Sequence, residues 1–373
     1  MNENNRQNLR AMVRGAYDLE TSRITAGNRL CASYRSKLGI EPGVAEEESP
    51  EEAQDILATI RASYKKMTDG IKTALPSLKN FKGNEIISSY TEACLIEEYL
   101  GLEKVEETAF KRLDAVLSEF EVYNVFMNPI RGLGPKVSGV LISEIDISKC
   151  KYPSSLWKYA GYDTVLDGTA PDGTEIRSGR SRRDEHLVER TYISKDKTPK
   201  TRKGLSFNPL LKTKLYVMAE VFIKQGARQY LPEQKVERAE IAAVLKNTKD
   251  KVVRKALKEQ LVAMQPQGEY GNIYKKVYDE YKSRLEHHKV YGVQNDEARK
   301  RAPKKAKVEG KEQEDGYAPG MHRHNMAMRY MIKMLLLDLY KSWRALEGLV
   351  VEPPYHEAKL GIFHHSPSDQ KAA

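Results

Sequence analysis

Cysteine is scarce in this chain of 373 residues. Only Cys31, Cys94 and Cys150 occur, far apart, with no CxxC pair and no neighbouring histidine. Neither a disulfide framework nor a zinc site is expected, and the three are read as reduced core thiols. Long apolar runs are missing too, since none approaches the ~20 residues that a bilayer-crossing helix needs. The opening MNENNRQNLRAMVRGAYDLE lacks the apolar core and small-residue cleavage site of a signal peptide. These absences point to a soluble, cytoplasmic protein without a membrane partner.

What is present is enough apolar residue, 40% of the chain, to bury sizeable cores in about two or three domains. The net charge of +10 is unevenly spread. Residues 1–128 carry 16 Lys and Arg against 21 Asp and Glu, whereas 129–373 carry 46 against 31, a net of +15. A basic excess confined to one part of the chain is the footprint of a polyanion partner, because each neutralised phosphate releases counterions. A solvated lysine-rich surface gives the same composition, so motifs have to decide.

The expected fold is mainly α. Leu9, Met12, Val13, Ala16, Leu19 and Ile24 recur at helical spacing over 4–38, with Gly39 as the stop. GIEPGVAEEESPEE reads as a linker, and a helix follows over 50–74. Apolar residues over 86–120 predict two helices broken at Gly101. Residues 1–128 are therefore read as a helical bundle or a coiled coil, and a homo-oligomer is expected. Residues 162–206 read as extended loops with a short β-hairpin around Tyr192-Ile193. Helices are expected at 209–227, 234–264, 273–288 and 323–349, with a charged insert at 232–268, a mobile basic loop at 297–320 and a tail at 357–373. Tyr274, Tyr278 and Tyr281 are placed on a core face.

The most informative segment is NPIRGLGPKVSGVLISEI. Here Arg131-Gly132-Leu133-Gly134 forms a short hairpin between a helix ending near Ile130 and another beginning at Pro135. Gly132 and Gly134 permit positive φ and a close backbone approach, and Leu133 tucks between the helices. Pro135 suits a first helical turn, whose amides and dipole can hold a phosphate oxygen, with Lys136 and Arg131 adding charge. This is the helix-hairpin-helix pattern of proteins that grip DNA backbone, although the same turn could simply join two helices.

From Gly132-Leu133-Gly134-Pro135-Lys136 onward the chain resembles the carboxy-terminal domain of insertion-sequence transposases that use a bridge RNA and carry a catalytic serine. The likeness runs through Ile145-Asp146-Ile147, Tyr152-Pro153-Ser154 and Leu156-Trp157-Lys158-Tyr159-Ala160-Gly161-Tyr162. It continues through Ser178-Gly179, Thr201-Arg202-Lys203-Gly204 and the closing helix with Asn325, Lys333 and Trp343. It spans most of 129–356 and implies a transposase-like nucleic-acid-binding domain, with Ser178 in the place of the catalytic serine and Ser181 as a second candidate. The family's RuvC-like domain, which holds magnesium through four acids, has no counterpart in 1–128. Glu46-Glu47-Glu48 and Glu51-Glu52 lie in a linker and at a helix start, where they complement the dipole.

Arg177, Arg180, Arg182 and Arg183 surround Ser178 and, with Arg202 and Lys203, complete the expected phosphate-gripping set. They would also stabilise charge at a phosphodiester if Ser178 were a nucleophile. No cofactor and no metal are expected. His322-Arg323-His324 and His364-His365 lack completing ligands, and Asp167, Asp172, Glu175, Asp184 and Glu185 suit turns near glycine. The expectation is a DNA-binding protein of a mobile element or phage, nucleoid-associated. A serine-dependent DNA recombinase or transposase is the enzymatic alternative, and a binder of structured RNA or a scaffold is the third.

Overall fold

The computed structural model describes residues 3–41, 43–45, 48–62, 81–84, 86–169, 175–180, 186–248, 250–289, 291–299, 304–308, 311–315, 319–354, 357–358 and 361. Among them are eleven α-helices and three separate two-stranded antiparallel sheets, so the chain is mainly helical. It divides into two compact units, Met1–Glu119 and Phe120–Ala373. None of the described helices is long and apolar enough to cross a membrane.

The first unit contains α1 (Glu3–Lys37), α2 (Glu51–Ala62) and α3 (Tyr90–Leu117). Buried positions on α1 include Leu9, Val13, Ala16, Leu30 and Tyr34, and on α3 Ile96, Tyr99, Glu106, Phe110, Leu113 and Leu117. Steps of three and four give the 3.5-residue period with which two helices stay in register along a shared seam. Tyr17 meets Phe110, Arg23 meets Glu106, and Lys37 meets Glu92, so α1 and α3 run antiparallel. Ala53, Leu57 and Ile60 of α2 close one end over Leu30, Tyr34, Ile87 and Ile96. Gly101 does not break α3 as expected, since the helix is continuous through it. An exposed glycine costs a helix only about 1 kcal/mol, which the packing of Tyr99 and Glu106 outweighs. The helix expected over 50–74 is seen as Glu51–Ala62, and 63–80 lie outside the described residues.

The second unit is built around its last helix, α11 (Pro319–Leu346), in which residues 331–340 are buried apart from half-buried Lys333. A helix that is apolar on nearly every side belongs in a core. α5 (Pro153–Tyr159), α6 (Pro209–Gln225) and α9 (Ile273–Glu286) pack on it, and α4 (Pro135–Glu144) packs on α6. Polar anchors fix the register. Arg344 donates to the carbonyls of Ile147, Cys150 and Val350, Tyr340 Oη to Lys151, and Trp157 Nε1 to Lys333. Tyr274 and Tyr278 are buried, Tyr274 donating to Asp338 at 2.9 Å, while half-buried Tyr281 stacks on Tyr330 at 4.1 Å.

Three expectations need correction here. The helix expected over 234–264 is two, α7 (Pro232–Asn247) and α8 (Lys251–Ala263), because Asp250 accepts from the amides of Val252 and Val253 and starts a new helix. In 162–206 the hairpin expected around Tyr192-Ile193 is present as β3 (Leu187–Ile193) with β4 (Pro199–Leu205), but the rest, expected as extended loops, holds a second hairpin, β1 (Thr164–Thr169) with β2 (Glu175–Gly179). The stretch 297–320, expected to be a mobile basic loop, contains the end of α10 (Asp296–Arg299) and a third hairpin, β5 (Lys304–Val308) with β6 (Lys311–Asp315). Its register sets position 304 opposite 315, 305 opposite 314 and 307 opposite 312, in each case a lysine against an acid in the sequence.

Candidate phosphate-binding site

The site is assembled from the turn after α5, the start of α6, the end of β2 and the middle of α11. α5 ends in a Schellman turn: the Gly161 amide donates to Lys158 and the Tyr162 amide to Trp157. Gly161 sits at φ +73, which favours a residue without Cβ, and Phe207 Cδ2 lies 2.8 Å from where a Cβ would stand. This reversal delivers Tyr162 and Asp163. Tyr162 is buried and donates to the Lys212 carbonyl at 2.9 Å. Asp163 accepts two bonds from Arg180, at 2.7 and 2.6 Å, and Arg180 also reaches Ser206 Oγ. α6 begins at Asn208, whose side chain accepts from the Leu211 amide and donates to Glu144 and Tyr159, tying α4, α5 and α6 together.

Between α6 and α11 lies a cavity of about 480 Å³, lined by Tyr162, Lys212, Thr213, Tyr216, Asn325, Met328, Arg329 and Ile332. Lys212 Nζ donates to the Arg180 carbonyl at 2.6 Å and stands 4.5 Å from the Phe207 ring centroid. Lys333 Nζ lies 5.2 Å from the ring centroid of Trp157. The guanidinium of Arg329 lies against Gly179, where a built Cβ would be 1.9 Å from Nη1. Burial pushes Lys212 down to about 8, Arg329 and Arg180 adding to the effect and Asp163 opposing it. Burial and Arg329 lower Lys333 as well, and burial raises the Tyr162 phenol. Asp163 is already engaged by Arg180, so among the described residues the charges of Lys212, Arg329 and Lys333 are left in excess. Arg329 is exposed and both lysines are half-buried, and a group of cations with depressed lysines is stabilised by taking up an anion.

The hairpin residues lie elsewhere in this unit. Gly132 has φ +93 and packs against Val221 and Phe222 at the far end of α6, and Leu133 is buried. The Arg131 carbonyl accepts from Asn272 Nδ2. Gly134 caps α4 at φ −79, so of the two glycines that permit positive φ only Gly132 adopts it. Nothing lies near a Cβ built at Gly134, and Lys136 is half-buried. The preceding helix is a single π-turn, Tyr123–Met127.

Arg180, expected to face a ligand, is 9% exposed and turned inward onto Asp163. Ser178 pairs with Val165 and Arg177 with Leu166 in the β1–β2 register; their side chains, with Ser181, Arg182 and Arg183, lie outside the described residues. Arg202 and Lys203 are exposed on β4. His324 shares a hydrogen bond with Tyr278, and Arg323 pairs with Asp296. Asp172, Asp184, Glu185, His364 and His365 lie outside the described residues, as do the side chains of Asp167 and Glu175. Among the described residues no cluster of His, Cys, Asp and Glu is placed to hold a metal.

Lys212, Thr213, Tyr216 and Arg329 escaped the sequence reading. A signal existed for one of them: Arg329 and Lys333 stand four apart, hence on one face, in the otherwise apolar run MAMRYMIKMLLL. Lys212 carries no local signal. The chain matches no family model, no curated protein and no solved structure.

Proposed function

We propose that the second unit binds the phosphate backbone of nucleic acid, duplex DNA foremost, and that the cavity lined by Lys212 and Arg329, with Lys333 next to it on α11, is one phosphate subsite. The observation that carries this reading is the excess positive charge among the described residues there, with Lys212 lowered to about 8. The net +15 of residues 129–373 supports it. The turn at Gly132, Leu133 and Gly134, with Arg131 and Lys136, is a second subsite of helix-hairpin-helix type: α4 starts at Gly134 with no side-chain cap, leaving its dipole for an external oxygen. Such contacts position a duplex without reading its sequence. The resemblance to insertion-sequence transposases agrees with a role in a mobile element or phage.

The test is binding of the full chain to labelled duplex, branched and single-stranded DNA and to structured RNA across a salt series. Each phosphate neutralised steepens the log–log salt slope by ~0.9 on duplex DNA. Arg329→Ala and Lys212→Ala should each weaken binding and flatten the slope by about that amount. No binding of any nucleic acid at low salt overturns the reading, and preference for structured RNA replaces the partner.

One observation favours an enzymatic second reading. Ser178 immediately precedes the glycine against which Arg329 lies, one residue from a guanidinium suited to developing phosphate charge. Serine-dependent strand transfer then predicts that Ser178→Ala abolishes cleavage while binding is unchanged.

A further inference from the structure

We propose that the β3–β4 ribbon lies in the major groove of duplex DNA, a binding mode that rests on the nucleic-acid reading above. Residues 188–203 are exposed apart from half-buried Ser194, so this two-stranded ribbon covers no core on either face. Isolated two-stranded ribbons are marginal in water, so a partner that covers this one stabilises it. Its root is anchored beside the cavity: Ser206 Oγ donates to the His186 carbonyl and accepts from Arg180.

The two faces differ. Facing pairs Glu189–Lys203, Thr191–Thr201 and Ile193–Pro199 make one face neutral, with Ile193 77% exposed at the tip. On the other, Arg190 faces Arg202 and Tyr192 faces Lys200, three cations and an aromatic ring. Lys200 pairs with Asp196 in the turn at 3.4 Å, both exposed, and a pair so open to water holds the lysine weakly. Arg202 lies 5.2 Å from the Tyr192 ring centroid. Arg190 donates to the Leu205 carbonyl at 2.7 Å while Arg202 leans toward Tyr192, so each guanidinium has a neutral partner and neither faces an acid across the pair; like charges at facing positions are then offset by a polyanion.

Shape selects duplex DNA among polyanions. Two strands ~4.8 Å apart, with side chains, fit the ~12 Å major groove of B-DNA, and seven residue pairs extend ~20 Å along it. The A-form major groove of duplex RNA is too narrow and deep to admit them.

The experiment compares the full wild-type chain with the Lys200→Glu, Arg202→Glu double variant and with Arg329→Ala. Each is titrated onto a short mixed-sequence DNA duplex and an RNA duplex of the same sequence, with protection of guanine N7, a major-groove atom, from methylation as a second readout. The Arg202→Glu change sets a carboxylate opposite Arg190, an opposite-charge pair that keeps the ribbon folded. The expected result is N7 protection by wild type, and for the double variant about tenfold weaker DNA binding, a salt slope flatter by ~1.8, and loss of protection even at saturation. Arg329→Ala should bind more weakly yet protect N7 once saturated. If wild type binds DNA while the double variant binds and protects equally well, the ribbon proposal fails and the cavity reading stands. Tighter binding to the RNA duplex also overturns it. Failure of wild type to bind either duplex removes both.

Discussion

The guanidinium of Arg329 occupies the space that a side chain at position 179 would fill, a built Cβ on Gly179 lying 1.9 Å from its Nη1. A residue on the last helix thereby depends on the absence of a side chain at the end of a strand distant in sequence. The obstructing atom is the far end of a flexible chain, so a methyl group at 179 moves the arginine more readily than it disturbs the fold.

Gly179→Ala is therefore expected to weaken duplex binding as much as Arg329→Ala does, with little change in thermal midpoint. The double variant should be no weaker than either single one, because both remove the same contact. Additive losses in that cycle would show that Gly179 acts independently of Arg329.

Lys212 makes the site sensitive to pH. Its folded value of about 8 lies below that of an unfolded lysine, so between the two the unfolded chain holds more protons and the stability of the free protein rises with pH. Phosphate binding has the opposite sign, since it needs the protonated amine. Affinity for duplex DNA should fall as pH rises from 7 to 9, about 1 unit either side of that value, and Lys212→Arg should flatten the profile because a guanidinium stays charged. A wild-type profile that is level over this window would remove Lys212 from the contact.

Two glycines are expected to respond oppositely to alanine. Gly161 combines φ +73 with Phe207 within 2.8 Å of a built Cβ, so Gly161→Ala should cost about 2 kcal/mol in denaturant unfolding. Gly101 sits mid-helix with open space around it, and Gly101→Ala should gain up to about 1 kcal/mol. Destabilisation at Gly101 would mean that the helix is bent there for a reason.

In the first unit Glu106, 6% exposed, holds Arg23 beside Tyr99 across the α1–α3 seam. Glu106→Ala alone strands a partly buried cation and should cost about 2 kcal/mol. Arg23→Met with Glu106→Leu should recover most of that in chemical denaturation, since an apolar pair of similar volume suits the seam. If the double variant is as unstable as the single one, the seam needs the charges themselves.

Residues three or four apart and backbone preferences at single positions make α1, α6, α9, α11 and the turn at Gly132 legible in the sequence, whereas α5, α10 and the division of α7 from α8 are not. The apolar spacing of Leu9, Val13 and Ala16 marks α1 without reference to anything else in the chain, and Pro209 after Asn208 marks the start of α6. Local pattern misleads where distant packing decides: Gly101 reads as a break because its own preference is legible and the seam that overrides it is not, and the hairpin of β5 and β6 lies in a run without large apolar residues. The tertiary structure alone decided the site. Lys212, Gly179 and Arg329 come from three separate segments, Lys212 and Arg329 lining one cavity and Arg329 lying against Gly179, and α6 and α11 pack around one core. The inward turn of Arg180 onto Asp163 was decided in the same way, since the acid that claims it is brought close by the reversal at Gly161. Helical periodicity is repeated along a chain and can be read from it, whereas an excess of charge in a cavity depends on what packing puts around it and has no repeat to read.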